Sequence, residues 1–527
     1  MVYKDIERYK IMRTNGLGYV LHLAAIAVAV AATFSGCVKE ESAKGEVMEN
    51  HALNAWIKKN RPELLGNKQE NGAYYVDIMA WGDDGDEGDS NDFGSKPIME
   101  QDSVWLFYNL TGRDLDGNVC LNRDEAIARM QGTFALETHY VPYMNYAGKV
   151  NAYALLEATY LLTRNEIKLD EQYVADHADV CKSTSFKLRR GSKVRIYTPS
   201  TIAYGSSGTS TSGGYEGQYT LDGNVPMIMD VEIVRAVKNP SDLEIEMLKG
   251  LVGASDDKSD GQNGWTLAIK EKSDDENTDT TDEDKKEDDG KLKGLYYNLL
   301  YEPNVNNVGL RHLKSTQKDT GVSNPYKDSD KYADMVALDK RIDEILAEKF
   351  KGKVLDKSQM TDSNLVTKDG SAKIWYVLRF LDGFVVESNI AEIQELMFGK
   401  TSTTTAETYS SDTETIIDAW KQCIPKMHYG QWAAILTASG YAYGAKGVNG
   451  TTETSSSGGS YYYPSYYDYY NGYNSMYYGD AYYGGYYNYY PTYINSDSSS
   501  VDTSTISTEI LGYTPLLFYV YIEPKAE

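Results

Sequence analysis

Apolar and polar residues alternate along 104–119 (VWLFYNLTGRDLDGNV), and the run ends in Asp116-Gly117, so the pattern predicts a half-buried strand that closes in a turn. The stretch 374–386 (IWYVLRFLDGFVV) repeats that design around Asp382-Gly383. A second pair of alternating strands, 191–205 (GSKVRIYTPSTIAYG) and 430–444 (GQWAAILTASGYAYG), ends twice in Ala-Tyr-Gly. Each set then finishes on an apolar strand, 226–234 (PMIMDVEIV) and 515–522 (PLLFYVYI). Apolar residues at helical spacing introduce each set, at Leu53, Trp56 and Ile57 in 50–64 and at Val336, Leu338, Ile342, Ile345 and Leu346 in 333–350. The same elements in the same order predict two homologous units of the α+β class.

Composition modifies this picture at three places. Among 527 residues, 46 are Tyr and only 10 Phe, and 17 of the Tyr fall within 461–493, interleaved with Gly, Ser, Asn and Asp. That tract holds no period of 2 or 3.6, so it is a low-complexity insertion whose exposed rings offer contact area to a partner. The stretch 273–289 carries ten acids, two Lys and no large apolar residue, which predicts a disordered linker. A shorter run, 83–92, has six acids but lacks the alternating ligands and distal Glu of a calcium loop, so a solvated loop is expected. The balance of 52 basic against 77 acidic residues gives a net charge of -25 and excludes a nucleic-acid binder, whose affinity comes largely from Lys and Arg on phosphate.

The N-terminus carries an address. Lys10 and Arg13 precede an apolar run, 19–34, and the small residues Ser35 and Gly36 stand before Cys37, so 1–36 fits a secretory leader. The run FSGC resembles a bacterial lipobox, which implies lipidation at Cys37; an uncleaved membrane span is the other reading, for which the apolar run is short. Lys39, Glu40 and Glu41 resemble the surface-export signal of Bacteroidetes-type lipoproteins. Three Cys remain after Cys37, an odd number, so no disulfide framework organises the chain. The six His and these Cys show no metal-ligand spacing, and neither a metal nor a cofactor is expected.

The stretch 416–430 (IIDAWKQCIPKMHYG) resembles the Val-Ile-x-Gly-Trp helix and Met-x-x-Gly exit of the FKBP-type peptidyl-prolyl isomerases. Together with Tyr376 six residues before Asp382-Gly383, the strand ending in Ala442-Tyr443-Gly444, and Phe518 on the last strand, the resemblance spans nearly the whole second copy. It implies a five-stranded antiparallel sheet wrapped on one short helix, with a cleft between them. In that cleft Trp420 would form the floor, Tyr376, Tyr443 and Phe518 the walls, and Ile416 and Ile417 the entry to the helix, where a backbone N–H meets the carbonyl before a bound proline. Glu387 takes the place of a family Asp, and Val386 that of a family Phe. No nucleophile, metal or general base is required, because slow Xaa-Pro rotation is speeded by binding the twisted amide more tightly than the planar one.

The first copy departs from the resemblance. Tyr204 stays, but Leu110 stands where Tyr376 does, Cys120 and Leu121 replace Val386 and Glu387, and Met229 replaces Phe518. The expected helix is 150–162, with Tyr153 at the floor position, and this cleft is expected to be weak or inactive. The expected division is leader 1–36, tether and N-terminal extension 37–98, first FKBP-like domain 99–240, acidic linker 241–293, and second FKBP-like domain 294–527 with an N-terminal helical extension and a Tyr-rich insertion 451–509, whose tract 461–493 is expected to be a lid on the cleft or a secondary docking surface. The expected function is a prolyl isomerase (rotamase) and folding chaperone for proline-containing exported polypeptides, held by lipid to the outer membrane, facing the periplasm or the cell surface. The alternative is a non-catalytic FKBP-like binding or assembly lipoprotein.

Overall fold

The computed structural model describes residues 47–525 apart from 150–151, 154–155, 209–219, 271–289, 302–329, 368, 400–403, 411–415 and 449–507. The leader with Cys37, the acidic run 273–289 and the tyrosine tract 461–493 lie outside the described residues. The rest is a mixture of helices and antiparallel sheets.

The first sheet is built from β1 (Tyr75–Trp81), β2 (Ser103–Asp114), β3 (Val119–Asn122), β4 (Tyr143–Gly148) and β5 (Ala152–Tyr153). A small ribbon, β6 (Ile167–Lys168) and β7 (Ser185–Phe186), precedes its last strands, β8 (Ser192–Thr198) and β9 (Met227–Val237). Its order is β1-β8-β9-β2-β4-β5, with β3 beside β2. The second sheet holds β10 (Trp265–Ile269), β11 (Lys291–Leu300), β12 (Ser371–Phe380), β13 (Val385–Ser388), β14 (Glu407–Ser410), β15 (Trp432–Thr437) and β16 (Leu516–Ile522). Its order is β10-β11-β15-β16-β12-β13, with β14 beside β12.

Beneath β5 and β10, which have no counterparts, the two orders are one. The register agrees residue by residue. Gly112 lies opposite both Met229 and Leu121, and Leu378 lies opposite both Phe518 and Glu387. Met229 therefore matches Phe518, Leu121 matches Glu387, and Leu110, two residues before Gly112, matches Tyr376.

The sheets differ on their back faces. In β9 the sequence alternates, and its polar face joins Arg113 and Arg195 to Asp230, each at 2.6 Å. In β16 all seven residues are buried, because Leu516, Phe518, Val520 and Ile522 enter one core and Leu517, Tyr519 and Tyr521 a second. A strand covered on both faces reads as a continuous apolar run, which is the difference between PMIMDVEIV and PLLFYVYI. The second core is closed by the helices Pro240–Val252 and Asp330–Lys349, through Leu248, Val252, Ile342 and Leu346. Buried Arg379 of β12 pairs there with Asp339 at 2.7 Å.

Two expectations about connections are corrected. The stretch 241–293 is not one linker, since it contains most of the helix Pro240–Val252 and all of β10, both packed on the second sheet. Its acidity is concentrated in 273–289, while Leu248 and Val252 fall on one helical face and bury it. The helix at 333–350 does not introduce the second copy either. It lies between β11 and β12, and the helix Pro240–Val252 holds the place that 47–60 holds in the first.

That correspondence rests on a repeated contact. Glu244 accepts hydrogen bonds from the Ser439 N–H at 2.5 Å and hydroxyl at 2.8 Å, and Glu49 of helix 47–60 accepts the same pair from Ser200, the hydroxyl at 2.7 Å. Each Ser opens a 3-10 turn that ends in Ala-Tyr-Gly, where Gly205 and Gly444 take φ of 57° and 64°, the left-handed region that favours glycine.

The acidic loop 83–92 is on the surface but not merely solvated. Asp83 and Asp86 pair with Arg190, and Asp84 with Arg189 and Lys182.

Candidate functional site

The short helix Asp418–Cys423 carries Trp420 into the face of the second sheet. Ile417 caps it with extended backbone (φ -61°, ψ 146°), so the chain turns sharply from the entering segment into the helix. Ile416 and Ile417 are both buried there. Tyr376 and Phe518 reach the same space from β12 and β16. The Trp420 ring lies 5.4 Å from Tyr376 and 5.7 Å from Phe518, edge to face in both cases, and Tyr376 and Phe518 are 6.5 Å apart. Such edge-on contacts suit the ring quadrupoles and fix a rigid, dry wall.

The polar groups of this cleft are few. The Tyr376 phenol is held well above its ordinary pKa, by burial first and by the Glu387 carboxylate next, and it is hydrogen-bonded to Glu387. It therefore stays protonated across the physiological range. Tyr443 is buried and close enough to Tyr376 to add to that effect. The Trp420 indole N–H, 5 % exposed as a residue, has no hydrogen-bond partner among the described residues. A buried donor left unpaired costs about 1–3 kcal/mol, so it is a position at which an acceptor would be welcome. Val386 is buried beside Glu387 and supplies no ring. All seven residues singled out in the second copy thus fall on the helix, its entry or the strands and loop around it, and Tyr376, Trp420 and Phe518 are in mutual contact.

The first cleft is built differently. Tyr153 lies on β5, opposite Tyr146, and not on a helix. The helix is Glu157–Arg164, capped by Leu156 with φ -58° and ψ 141°, nearly the angles of Ile417. Counting three residues from each cap puts Thr159 where Trp420 stands. The sequence 150–162 misled because its apolar residues satisfy a short strand followed by a helix as well as one longer helix.

A cavity of about 330 Å³ occupies this cleft, and Tyr204 lines it together with Tyr108, Leu110 and Leu121. Tyr108 enters from two residues before the position matched to Tyr376, stacks on Tyr143 of β4 at 5.4 Å, and donates its hydroxyl to Asn145 at 2.7 Å. The aromatic wall has moved from the helix and last strand to β2 and β4. Tyr143 and Arg123, which also line the cavity, were not singled out from sequence. Neither belongs to a repeated motif that could have marked it.

The two sheets meet beside these clefts. His139, from the chain between β3 and β4, pairs with Asp382 at 2.6 Å and stacks on Phe380 with ring centres 4.4 Å apart. Burial opposes ionisation of Asp382, but the charge and hydrogen bond of His139 outweigh it and hold the carboxyl below its usual range. Cys120, Cys181 and Cys423 are free and buried, which pushes each thiol up, Cys120 and Cys181 to about 11. Among the described residues no group of three or more His, Cys, Asp or Glu is placed to hold a metal, and no helix is long and apolar enough to cross a membrane.

No protein-family model and no curated protein matches the chain. Among solved structures, the chain is similar to the three FKBP domains of wheat FKBP73, at 9% identity and a TM-score of 0.20, covering 86% of this chain and 95% of that one. It is also similar to FkpA from Escherichia coli, at 14% identity and a TM-score of 0.22, covering 41% and 70%. A peptidyl-prolyl cis-trans isomerase from Pseudomonas syringae pv. tomato matches at 15% identity and a TM-score of 0.18, covering 35% and 95%.

Proposed function

We propose that the cleft of the second sheet is a peptidyl-prolyl cis-trans isomerase site of the FKBP type. The observation that carries the proposal is the contact of Tyr376, Trp420 and Phe518 around the capped entry of a short helix, as the resemblance in 416–430 implies. A prolyl ring seated on Trp420 would place its preceding amide among these rings and out of water. Rotation about that bond breaks a resonance worth most of a barrier of roughly 18–20 kcal/mol and leaves a less polar, twisted amide. A dry aromatic wall stabilises the twisted state relative to the planar one, and that difference is the catalysis. Tyr376, its one hydroxyl proton given to Glu387, is held as a neutral, oriented ring of the wall, and the backbone at Ile417 would orient the carbonyl.

In this proposal the chain is an exported folding helper, anchored by lipid at Cys37 to the outer membrane and acting on proline-containing polypeptides, with the first cleft weak or inactive as an isomerase. Val386, in place of an aromatic wall, favours the second reading, a binding lipoprotein without turnover. The two separate in a proline-limited peptide or refolding assay on the purified chain. We expect acceleration over solvent and a loss of about tenfold or more in kcat/KM for Trp420→Leu, which keeps the floor apolar but removes the ring and its N–H, a difference of ~1.4 kcal/mol or more. Equal rates for the two proteins, or no acceleration, would remove the isomerase reading.

A further inference from the structure

The lining of the first cleft holds one cation, Arg123, among apolar and aromatic residues, with Asn145 and Glu509 its other polar members. The Arg123 side chain is 4% exposed, its guanidinium carbon lies 4.0 Å from the centre of the Tyr143 ring, and its Nη2 donates to the Glu509 carboxylate at 2.5 Å. Glu509 is 386 residues away in sequence, on the stretch that leads into β16 of the second sheet. Leu511 lines the same cavity beside it. Ile510 between them turns the opposite way, exchanging backbone hydrogen bonds with Val448 and entering the second sheet's core. The segment is thus locally extended and presents a carboxylate and, two residues on, an aliphatic side chain to the first cleft, as side-chain alternation requires.

A guanidinium taken out of water costs several kcal/mol unless an anion meets it, so a cleft that buries Arg123 demands a carboxylate or its equivalent. The ring of Tyr143 adds a cation-π contact on its other side. The cavity of about 330 Å³ lies alongside Glu509 and Leu511, with Leu156, the cap of the helix Glu157–Arg164, also in its lining.

We propose that the first cleft is a recognition site for an extended polypeptide segment presenting a carboxylate two residues ahead of an aliphatic side chain, with Glu509 and Leu511 its occupants in cis. This goes beyond the isomerase proposal and does not depend on it, because it uses the other cleft and no twisted amide. A tethered occupant competes at an effective concentration in the millimolar range, so a free segment of the same chemistry binds well only when the tethered one is disabled.

The test uses the full chain and a fluorescent peptide of sequence Thr-Glu-Ile-Leu-Gly-Tyr, which copies 508–513. The double variant Glu509→Gln, Leu511→Ala is expected to bind the peptide about tenfold more tightly than the unmodified chain. That binding should fall by about tenfold when Arg123→Gln is added, and equally when Gln replaces the peptide's Glu, a change that leaves the protein untouched. Trp420→Leu should leave it unaltered. Equal binding by the unmodified chain and the double variant would overturn the proposal. So would binding by the double variant that is indifferent to the peptide's carboxylate.

Discussion

Glu244 is a carboxyl whose ionisation the fold opposes. Burial pushes its pKa up to about 7 against 4.5 unperturbed, and the two hydrogen bonds from Ser439 only partly offset that. Because the folded state binds this proton more tightly than the unfolded chain, its contribution to stability is complete below pH 4.5 and is lost as pH rises towards 7. The size of that loss is about 3 kcal/mol, from ~1.4 kcal/mol for each unit of pKa. Glu244→Gln keeps an acceptor for the Ser439 N–H without a titrating group. Denaturant melts of the variant at pH 5 and pH 8 should therefore differ less than those of the unmodified chain, by roughly that amount. An unchanged difference would show that Ser439 is not tied in this way. No sequence pattern announced this pairing, since a Glu on an amphipathic helix looks like any solvated face until the turn it caps is in place.

At the scale of elements, the helix Asp330–Lys349, together with Pro240–Val252, covers the second face of β15 and β16 and lets both strands be apolar on each side. Arg379 of β12, 1% exposed, meets Asp339 of that helix. Removing one partner of such a buried pair leaves a charge stranded, at a cost of about 3–5 kcal/mol. Asp339→Ala is expected to lower stability by that amount in a urea titration, while Asp339→Ala with Arg379→Leu recovers most of it. A single variant indistinguishable from the unmodified chain would mean that the helix does not seal this face. Strands were the legible elements, because period-2 alternation and Asp-Gly turns mark them locally, and the register bore out the alignment of Leu110 with Tyr376 and Met229 with Phe518. Helices were less legible. The 3.6-residue patterns of 333–350 and of the helix Pro240–Val252 say that each buries a face, but not against which sheet. Among cleft residues of the second copy, Ile416, Ile417 and Trp420 sat on a recognisable helix motif, and Tyr376, Tyr443 and Phe518 were placed by their strands and turns. Tyr143, Arg123 and Glu509 meet only when strands far apart in sequence and two separate sheets are brought together, and no local pattern encodes that.

For the whole molecule, β9 ends at Val237 and the next helix begins at Pro240, and we expect the boundary between the copies there. A fragment beginning at 294 would lack Leu248, Val252, Trp265 and Leu267 from the core behind β15 and β16, and would begin inside β11. We expect the fragment 240–527 to melt cooperatively by circular dichroism and 294–527 to be insoluble or to lack a transition. Matching melts would move the boundary back to 294. The Glu-Ser tie is the same in both copies, whereas the clefts beneath it differ, one walled by Trp420, Tyr376 and Phe518 and the other lined by Tyr108, Leu110 and Leu121. In mechanical terms, each tie fastens an Ala-Tyr-Gly turn to a helix outside the sheet, so the loops bearing Tyr204 and Tyr443 are anchored alike whatever lines the cleft beneath them.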